Sequence, residues 1–569
     1  MTATLDALFP NEVVTSATVR LTEVDGLSAP VAVIALGVGI DPTQLNTFGP
    51  AGFRNLGEAL DTAFAARPSA IAFIGKPFVF STGADLTGLP RVTDAQQSRE
   101  MTEAGHAVFK RVKDSRIPTF AFVNGAAIGG GLELALHCHY RTAFAKAALF
   151  AAPECMAGMV PGWGGTQLLP NLIGADGAVT VIVENPLSGN KLLSAAEAAE
   201  LGIVDLVVDS YDFEGRSLRW LASVVNGETE VERRPVDRGD AWTAAIARGT
   251  EFALAMTRGK SVGVTKALEL LELARANDFD HGCAAEDDAV ADLVMTEELR
   301  SGIYAAQLLR RRSVETAGAP NPASARPLRR IGIAGDGPDA EAIVAALAAV
   351  TTAEVVWTGP GEDVAALDLV IDIGATFPVA TTGAESVEVR SRKPFLTAPL
   401  WEVTRGADVA VATVLSLAKA WGKTCVLVGN SPVPVAERLL ACLARGVASA
   451  IGEGAAPDVA ATCLEPMGLP AGVITSASVD DSPARGGDTS PEQVRARVLH
   501  AMVKEIAVLR EERVVDSAED VDLCMILDAG WPLWLGGITP YLDRTGASQT
   551  ANGRRFHAPG VASLAGATE

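Results

Sequence analysis

The chain has 569 residues, too many for a single hydrophobic core, so roughly two to four domains are expected. Its 48% hydrophobic content excludes a disordered chain, and a formal net charge of −22 argues against nucleic acid or an anionic membrane surface as partner. The longest apolar run, residues 31–40, is about half of the ~20 residues a membrane helix needs, so no membrane insertion is expected and a buried strand is. The N-terminus lacks a basic patch followed by an apolar core, so no signal peptide is expected. Seven scattered cysteines, never spaced as C-x-x-C, read as buried free thiols of a cytoplasmic protein without a metal site.

Residues 16 to about 210 alternate short β-rich runs with amphipathic helices. Residues 70–75 and 119–124 read as buried strands, each ending in a polar or glycine-rich loop. A helix over 132–137 leaves the triple-glycine turn Gly129-Gly130-Gly131. From 211 to 316 the pattern changes to long helices, such as 265–276. Residues 317–327 are a linker by their Pro, Gly and Ser content. A second βαβ pattern opens at 330–335, and residues from about 411 onward read as mostly helical. The stretch 476–491, rich in Ser, Asp, Gly and Pro, is the best candidate for a mobile loop. These shifts divide the chain into 1–210, 211–327, 328–410 and 411–569. No internal repeat is evident.

Chemistry concentrates around the glycine turn. Glu133 follows it in Asn124-Gly-Ala-Ala-Ile-Gly-Gly-Gly-Leu-Glu133, and Glu154 stands in Pro153-Glu154 ahead of Pro161-Gly162-Trp-Gly164-Gly-Thr-Gln167. Glycines let backbone N–H groups approach a ligand, and two carboxyls can divide acid and base duties on one water. Taken singly, each acid has a plain structural reading. Glu133 sits in a helix first turn, where the dipole favours any acid, and Glu154 suits a surface turn. Asp85 reads as an N-cap or loop-fixing residue. A further motif, Gly75-Lys-Pro-Phe-Val-Phe-Ser-Thr-Gly83-Ala84-Asp85-Leu, completes a set of three in order, which turns the balance toward catalysis.

On these three motifs the first part of the chain resembles the crotonase superfamily of enoyl-CoA hydratases and isomerases, and the whole chain resembles the multifunctional α-subunit of bacterial fatty-acid oxidation. The resemblance implies a crotonase-type β-β-α superhelix domain over 1–210, followed by a helical linker region over 211–327. It assigns the oxyanion hole to the backbone N–H groups of Ala84 and Gly130, acid–base catalysis to Glu133 and Glu154, and the substrate loops to Gly83, Asp85, Gly129, Gly131, Gly162 and Gly164. Coenzyme A enters as part of the substrate, and no cofactor is needed for hydration. The net charge leaves room for such an anionic group through a local patch. Δ3,Δ2-isomerase chemistry can reuse one of the same glutamates. The interval from Glu133 to Glu154 is one residue longer than in the familiar hydratases. In an exposed turn an extra residue is harmless; in a strand it requires a bulge.

The second part resembles a 3-hydroxyacyl-CoA dehydrogenase, with a truncated Rossmann-like domain over 328–410 and an α-helical C-terminal domain over 411–569. Gly335-Asp-Gly337-Pro-Asp-Ala340 fits G-x-G-x-x-A, but Gly359 stands where an acidic residue would hold the ribose. Arg390 stands at the family's catalytic histidine, and arginine cannot accept a hydroxyl proton. Glu402 aligns with the family's glutamate and reads as structural. NAD binding is therefore not expected. The sequence reading is a hydratase with a degenerate dehydrogenase module. The alternatives are a bifunctional hydratase and NAD-dependent dehydrogenase, or a non-catalytic assembly subunit. An oligomer and a thiolase-like partner are expected by analogy.

Overall fold

The computed structural model describes residues 3–37, 39, 44–335, 339–359, 364, 366–374, 385–456, 462–468 and 490–563. Gly337 and nearly all of the 476–491 loop candidate lie outside the described residues. The chain folds as two units, one within Met1–Arg300 and the other spanning Ser301–Ser563.

In the first unit, β1 (Ser16–Thr22), β2 (Val31–Gly37), β3 (Ala70–Gly75), β5 (Thr119–Val123), β7 (Tyr140–Phe144) and β10 (Leu206–Val208) form a six-stranded sheet in the order β1-β2-β3-β5-β7-β10. A second sheet runs β4 (Phe78–Ser81), β6 (Gly125–Ile128), β8 (Leu149–Ala151), β9 (Leu193–Ser194). β1 is antiparallel to β2; the other strands of the large sheet pair in parallel. Parallel strands are covered on both faces. This explains why β5 is buried along its whole length while β1, at the edge, is exposed at alternate positions.

The chain winds as a repeating β-β-α superhelix. Each turn gives one strand to each sheet and then a helix: β3 and β4 lead to α2 (Ala95–Lys113), β5 and β6 to α3 (Gly130–His137), and β7 and β8 to α4 (Gly165–Val179); α1 (Pro50–Ala65) precedes them. Helices α5 (Asp240–Thr257), α6 (Val262–Leu273) and α7 (Phe279–Val294) pack on α4, and α7 packs also on α2. Between Glu133 and Glu154 both strand pairings keep their register, β7 on β5 and β8 on β6. The turn 145–148 joins β7 and β8, where Ala147 and Ala148 N–H both bond the Phe144 carbonyl. The helical run Gly165–Leu187 is long and apolar enough to cross a membrane, but 61% of its apolar window is buried inside the fold and Gly174 (φ 85°, ψ 161°) interrupts it. It is a core helix. All seven cysteines are buried free thiols.

The second unit holds a sheet of β11 (Arg330–Ala334), β12 (Glu354–Thr358), β13 (Leu369–Asp372), β14 (Glu385–Arg390), β15 (Leu400–Thr404) and β16 (Thr424–Val428) in the order β12-β11-β13-β14-β15-β16. All pairings are parallel except β14 with β15. Helix α8 (Ala340–Ala348) follows β11, and α9 (Asp408–Ala420) lies between β15 and β16. The sheet therefore continues past residue 410. A five-residue apolar run between helices carries no period that distinguishes strand from helix, which is why the sequence reads as helical there. Beyond β16, α10 (Val435–Gly452), α11 (Pro491–Glu511) and α12 (Ala518–Leu527) share a core containing Leu439, Leu443, Val498, Met502 and Met525.

Within the second sheet, β4 and β6 approach each other where glycine is obligatory. A Cβ on Gly125 would stand 2.0 Å from the Phe78 carbonyl carbon. Gly125→Ala is expected to destabilise the first unit by about 2 kcal/mol, within the usual cost of overpacking, read as a lower urea midpoint; Gly452→Ala, with nothing within 4 Å of its Cβ, is the control.

Candidate functional site

The site is built from backbone contact. Gly129 leaves β6 with φ +54° and ψ −126°, a conformation closed to side-chain-bearing residues, and starts α3. Each glycine of the turn then faces a different neighbour. A Cβ on Gly129 would stand 2.5 Å from Glu154 Oε1, one on Gly130 2.3 Å from the Trp163 ring, and one on Gly131 2.0 Å from the Ser81 carbonyl oxygen. From the other side, a Cβ on Gly83 would stand 2.5 Å from the Gly130 nitrogen. The segments around Gly83 and Gly130 therefore lie against each other. Phe48 pairs with the Gly83 carbonyl and with the Asp85 N–H, and neither Ala84 N–H nor Gly130 N–H has a hydrogen-bond partner among the described residues. Asp85 is buried and accepts from Thr87 N–H at 2.8 Å, which fixes the loop. Trp163, stacked edge-on against Phe53 and Phe109, forms the floor under Gly130.

Glu133 and Glu154 line one small cavity of about 10 Å³ with Gly129, Leu132, Leu169 and Ile182. Glu133 is buried in the first turn of α3, and its Oε1 accepts from Trp163 N–H at 2.7 Å and Gly165 N–H at 2.8 Å. Burial, with the charges of Glu286 and Glu154, holds its carboxyl well above the usual range. Burial likewise pushes Glu154 up to about 7, with the Glu286 charge adding to it. Its Oε2 is buried without a hydrogen-bond partner. His137 bonds the Glu133 carbonyl oxygen at 2.8 Å, and burial lowers it to about 3, so it stays neutral. Gly162 packs on Val290, and Gly164 (φ +95°) packs on His137. Both belong to the loop that carries the Trp163 and Gly165 donors. An apolar cavity with two carboxyls held partly protonated, beside two unpaired N–H groups, is suited to moving protons next to a developing oxyanion.

Sequence reasoning missed Glu286, a third buried carboxylate on α7 that meets the same loop, and its neighbours His106 and Asp287. The signal available was phase. Glu286 falls in register with the buried Cys283, Val290 and Leu293 on the apolar face of α7, where an unpartnered acid would be costly.

In the second unit Gly335 follows β11, and a Cβ there would stand 2.8 Å from Ile373 and 3.4 Å from Trp357, so apolar side chains face it. Arg390 forks onto Glu388 at 2.5 and 2.6 Å and pairs across the strands with Glu402. Glu402 is buried, accepts from Val435 N–H at 2.8 Å at the start of α10, and is pushed by burial up to about 8. Among the described residues no group of three or more His, Cys, Asp or Glu side chains is arranged to hold a metal.

Residues 27–234 match the family model described as enoyl-CoA hydratase/isomerase. Among curated proteins the chain is similar to the fatty acid oxidation complex subunit alpha of Shewanella loihica, 41% identical over 135 residues. It is also similar to that of Shewanella frigidimarina, 38% identical over 139 residues. Each match covers 24% of this chain, and spans 18% and 19% of the length of those relatives. Among solved structures it is similar to Pseudomonas aeruginosa DspI (28% identity, TM-score 0.32, 47% of this chain and 96% of that one). An enoyl-CoA hydratase from Bacillus anthracis is similar too (24% identity, TM-score 0.33, 51% and 96%).

The raised Glu154 carboxyl carries a stability consequence. Unfolded, it titrates near 4.5; folded, near 7. Between those values the native state binds more protons than the unfolded one, so this group's contribution to stability is lost as pH rises. Glu154→Gln removes that loss, and the variant is expected to gain about 3 kcal/mol over wild type between pH 4 and pH 8, measured by urea unfolding at the two pH values.

Proposed function

We propose that the first unit hydrates 2-enoyl-CoA thioesters, adding water across the C2=C3 bond. The observation that carries this reading is the placement of Glu133 and Glu154 in one apolar cavity beside the contact of Gly83 with Gly130. The attacking water gives a proton to one carboxylate as its oxygen bonds C3. The electron pair of the double bond moves onto the thioester oxygen, and the other carboxyl, still protonated, delivers a proton to C2. Ala84 and Gly130 N–H would stabilise the enolate oxygen. Loss of one such donor typically costs about 10²–10³ in rate. The chemistry needs one carboxylate and one carboxylic acid at once, and three neighbouring carboxyls in a buried site hold the pair in that state near neutral pH.

The names of the curated relatives support fatty acyl thioesters as the substrate class and a multisubunit assembly; a thiolase-like subunit as partner rests on analogy with such complexes. Co-purification without any thiolase would remove that part of the reading. The second unit we read as a dehydrogenase-like module without its reaction. Arg390 in place of a base and the crowded surroundings of Gly335 support this over a bifunctional enzyme. Titration calorimetry with NAD is expected to show no binding, and an NADH signal from a 3-hydroxyacyl-CoA would overturn the reading.

For hydration, crotonyl-CoA is expected to lose the absorbance of its conjugated thioester in the presence of the protein. Glu133→Gln and Glu154→Gln are each expected to slow this by about 10²–10⁴. Unchanged activity in both would refute the assignment and favour a non-catalytic assembly subunit. The wild-type kcat/KM is expected to rise as pH passes the first ionisation of the pair, at about 7, and to fall when the second proton leaves.

A further inference from the structure

One group of ionisable side chains in the first unit exchanges no proton in the proposed reaction, yet it grips the loop that serves Glu133. Glu286 on α7 is fully buried, and its carboxylate accepts from Gly164 N–H at 2.6 Å, from Thr166 N–H at 3.0 Å and from the Thr166 hydroxyl. Trp163 and Gly165 N–H go to Glu133 Oε1. Four consecutive N–H groups, residues 163 to 166, thus alternate between two carboxyls. The left-handed Gly164 lets successive donors diverge in this way, as in an anion-binding nest at a helix N-terminus.

The second carboxylate needs a counter-charge, and it has one. His106 Nε2 lies 3.2 Å from Glu286 and its Nδ1 2.9 Å from Asp287. Burial alone would lower His106, but its hydrogen bonds to Asp287, Cys283 and Glu286 outweigh this and hold it well above its usual value. An imidazole that meets a carboxylate at each nitrogen donates from both. Helix packing alone does not require a fully satisfied buried acid to bind the same four-residue loop as Glu133.

We propose that Glu286, braced by His106 and Asp287, is a positioning residue: by taking the Gly164 and Thr166 N–H groups it fixes the loop whose Trp163 and Gly165 N–H groups orient the Glu133 carboxyl. The inference rests on the hydratase reading for its kinetic test, so a second readout is independent of turnover.

The ionisable groups facing this cluster are Glu133 and neutral His137 on α3, Glu154, His106 on α2, and Cys283 and Asp287 on α7. In Glu286→Gln the amide nitrogen cannot accept an N–H group, and one negative charge is gone. The expected result is a fall in kcat of about a hundredfold, the scale of a small misplacement of a reacting group, with KM changed little. The acid limb of kcat/KM is expected to move to lower pH. His106→Gln removes the opposite charge, so kcat falls and the limb moves to higher pH. A purely structural role would reduce active protein without moving either limb, and unmoved limbs in both folded variants would overturn the proposal. Independently, the infrared band of the protonated Glu133 carboxyl, assigned by its loss in Glu133→Gln, is expected to shift in Glu286→Gln. An unshifted band overturns the inference even in a protein that hydrates no thioester, and a shifted band in such a protein leaves the inference standing while the hydratase reading fails.

Discussion

The first unit depends on the absence of side chains where two backbone segments touch. Gly83 lies against the Gly130 nitrogen, Gly131 against the Ser81 carbonyl and Gly130 against the Trp163 ring, each closer than any Cβ allows. This contact sets the end of β4 against the start of α3. Everything in the cavity is placed from there. The N–H groups of residues 84 and 130 stay unpaired beside each other, and Glu133 follows one helical turn from Gly129, whose carbonyl accepts its N–H at 3.0 Å. A side chain at any of these glycines would separate the two segments, and the donors with them.

Electrostatics explains how so acidic a cavity holds together. Isolated buried carboxylates are costly, and three in mutual reach would be more so. Two devices offset this. The loop of residues 163–166 offers four N–H donors at the N-terminus of α4, where the helix dipole also favours negative charge. The third carboxylate is matched by His106. What remains uncompensated falls on Glu133 and Glu154, which respond by holding protons. The raised carboxyls are thus a result of how the compensation is distributed, with Glu286 taking the larger share.

Much of this was legible in the sequence because it is local. The glycine turn, both glutamates and the strands at 70–75 and 119–123 can be read from short motifs and apolar runs. Whether the interval from Glu133 to Glu154 held a bulge was not, since only the pairings of β7 with β5 and β8 with β6 show an unbroken register. Glu286 was illegible for a different reason. It reaches the loop across more than a hundred residues of chain, from a helix whose sequence looks like many amphipathic helices, and no motif marks it. β16 was missed because a short apolar run between helices is ambiguous until its pairing with β15 is seen.

The second unit follows the same physics with a different outcome. Glu402 is as deeply buried as Glu133; one oxygen takes the Val435 N–H at the start of α10, and the strand opposite offers Arg390, already committed to Glu388. Burial, the larger effect, holds its carboxyl near 8. Replacing the glutamate would still be costly, because the Val435 N–H would lose its acceptor inside the core. Hydrogen-bond satisfaction alone therefore accounts for a buried glutamate at this position.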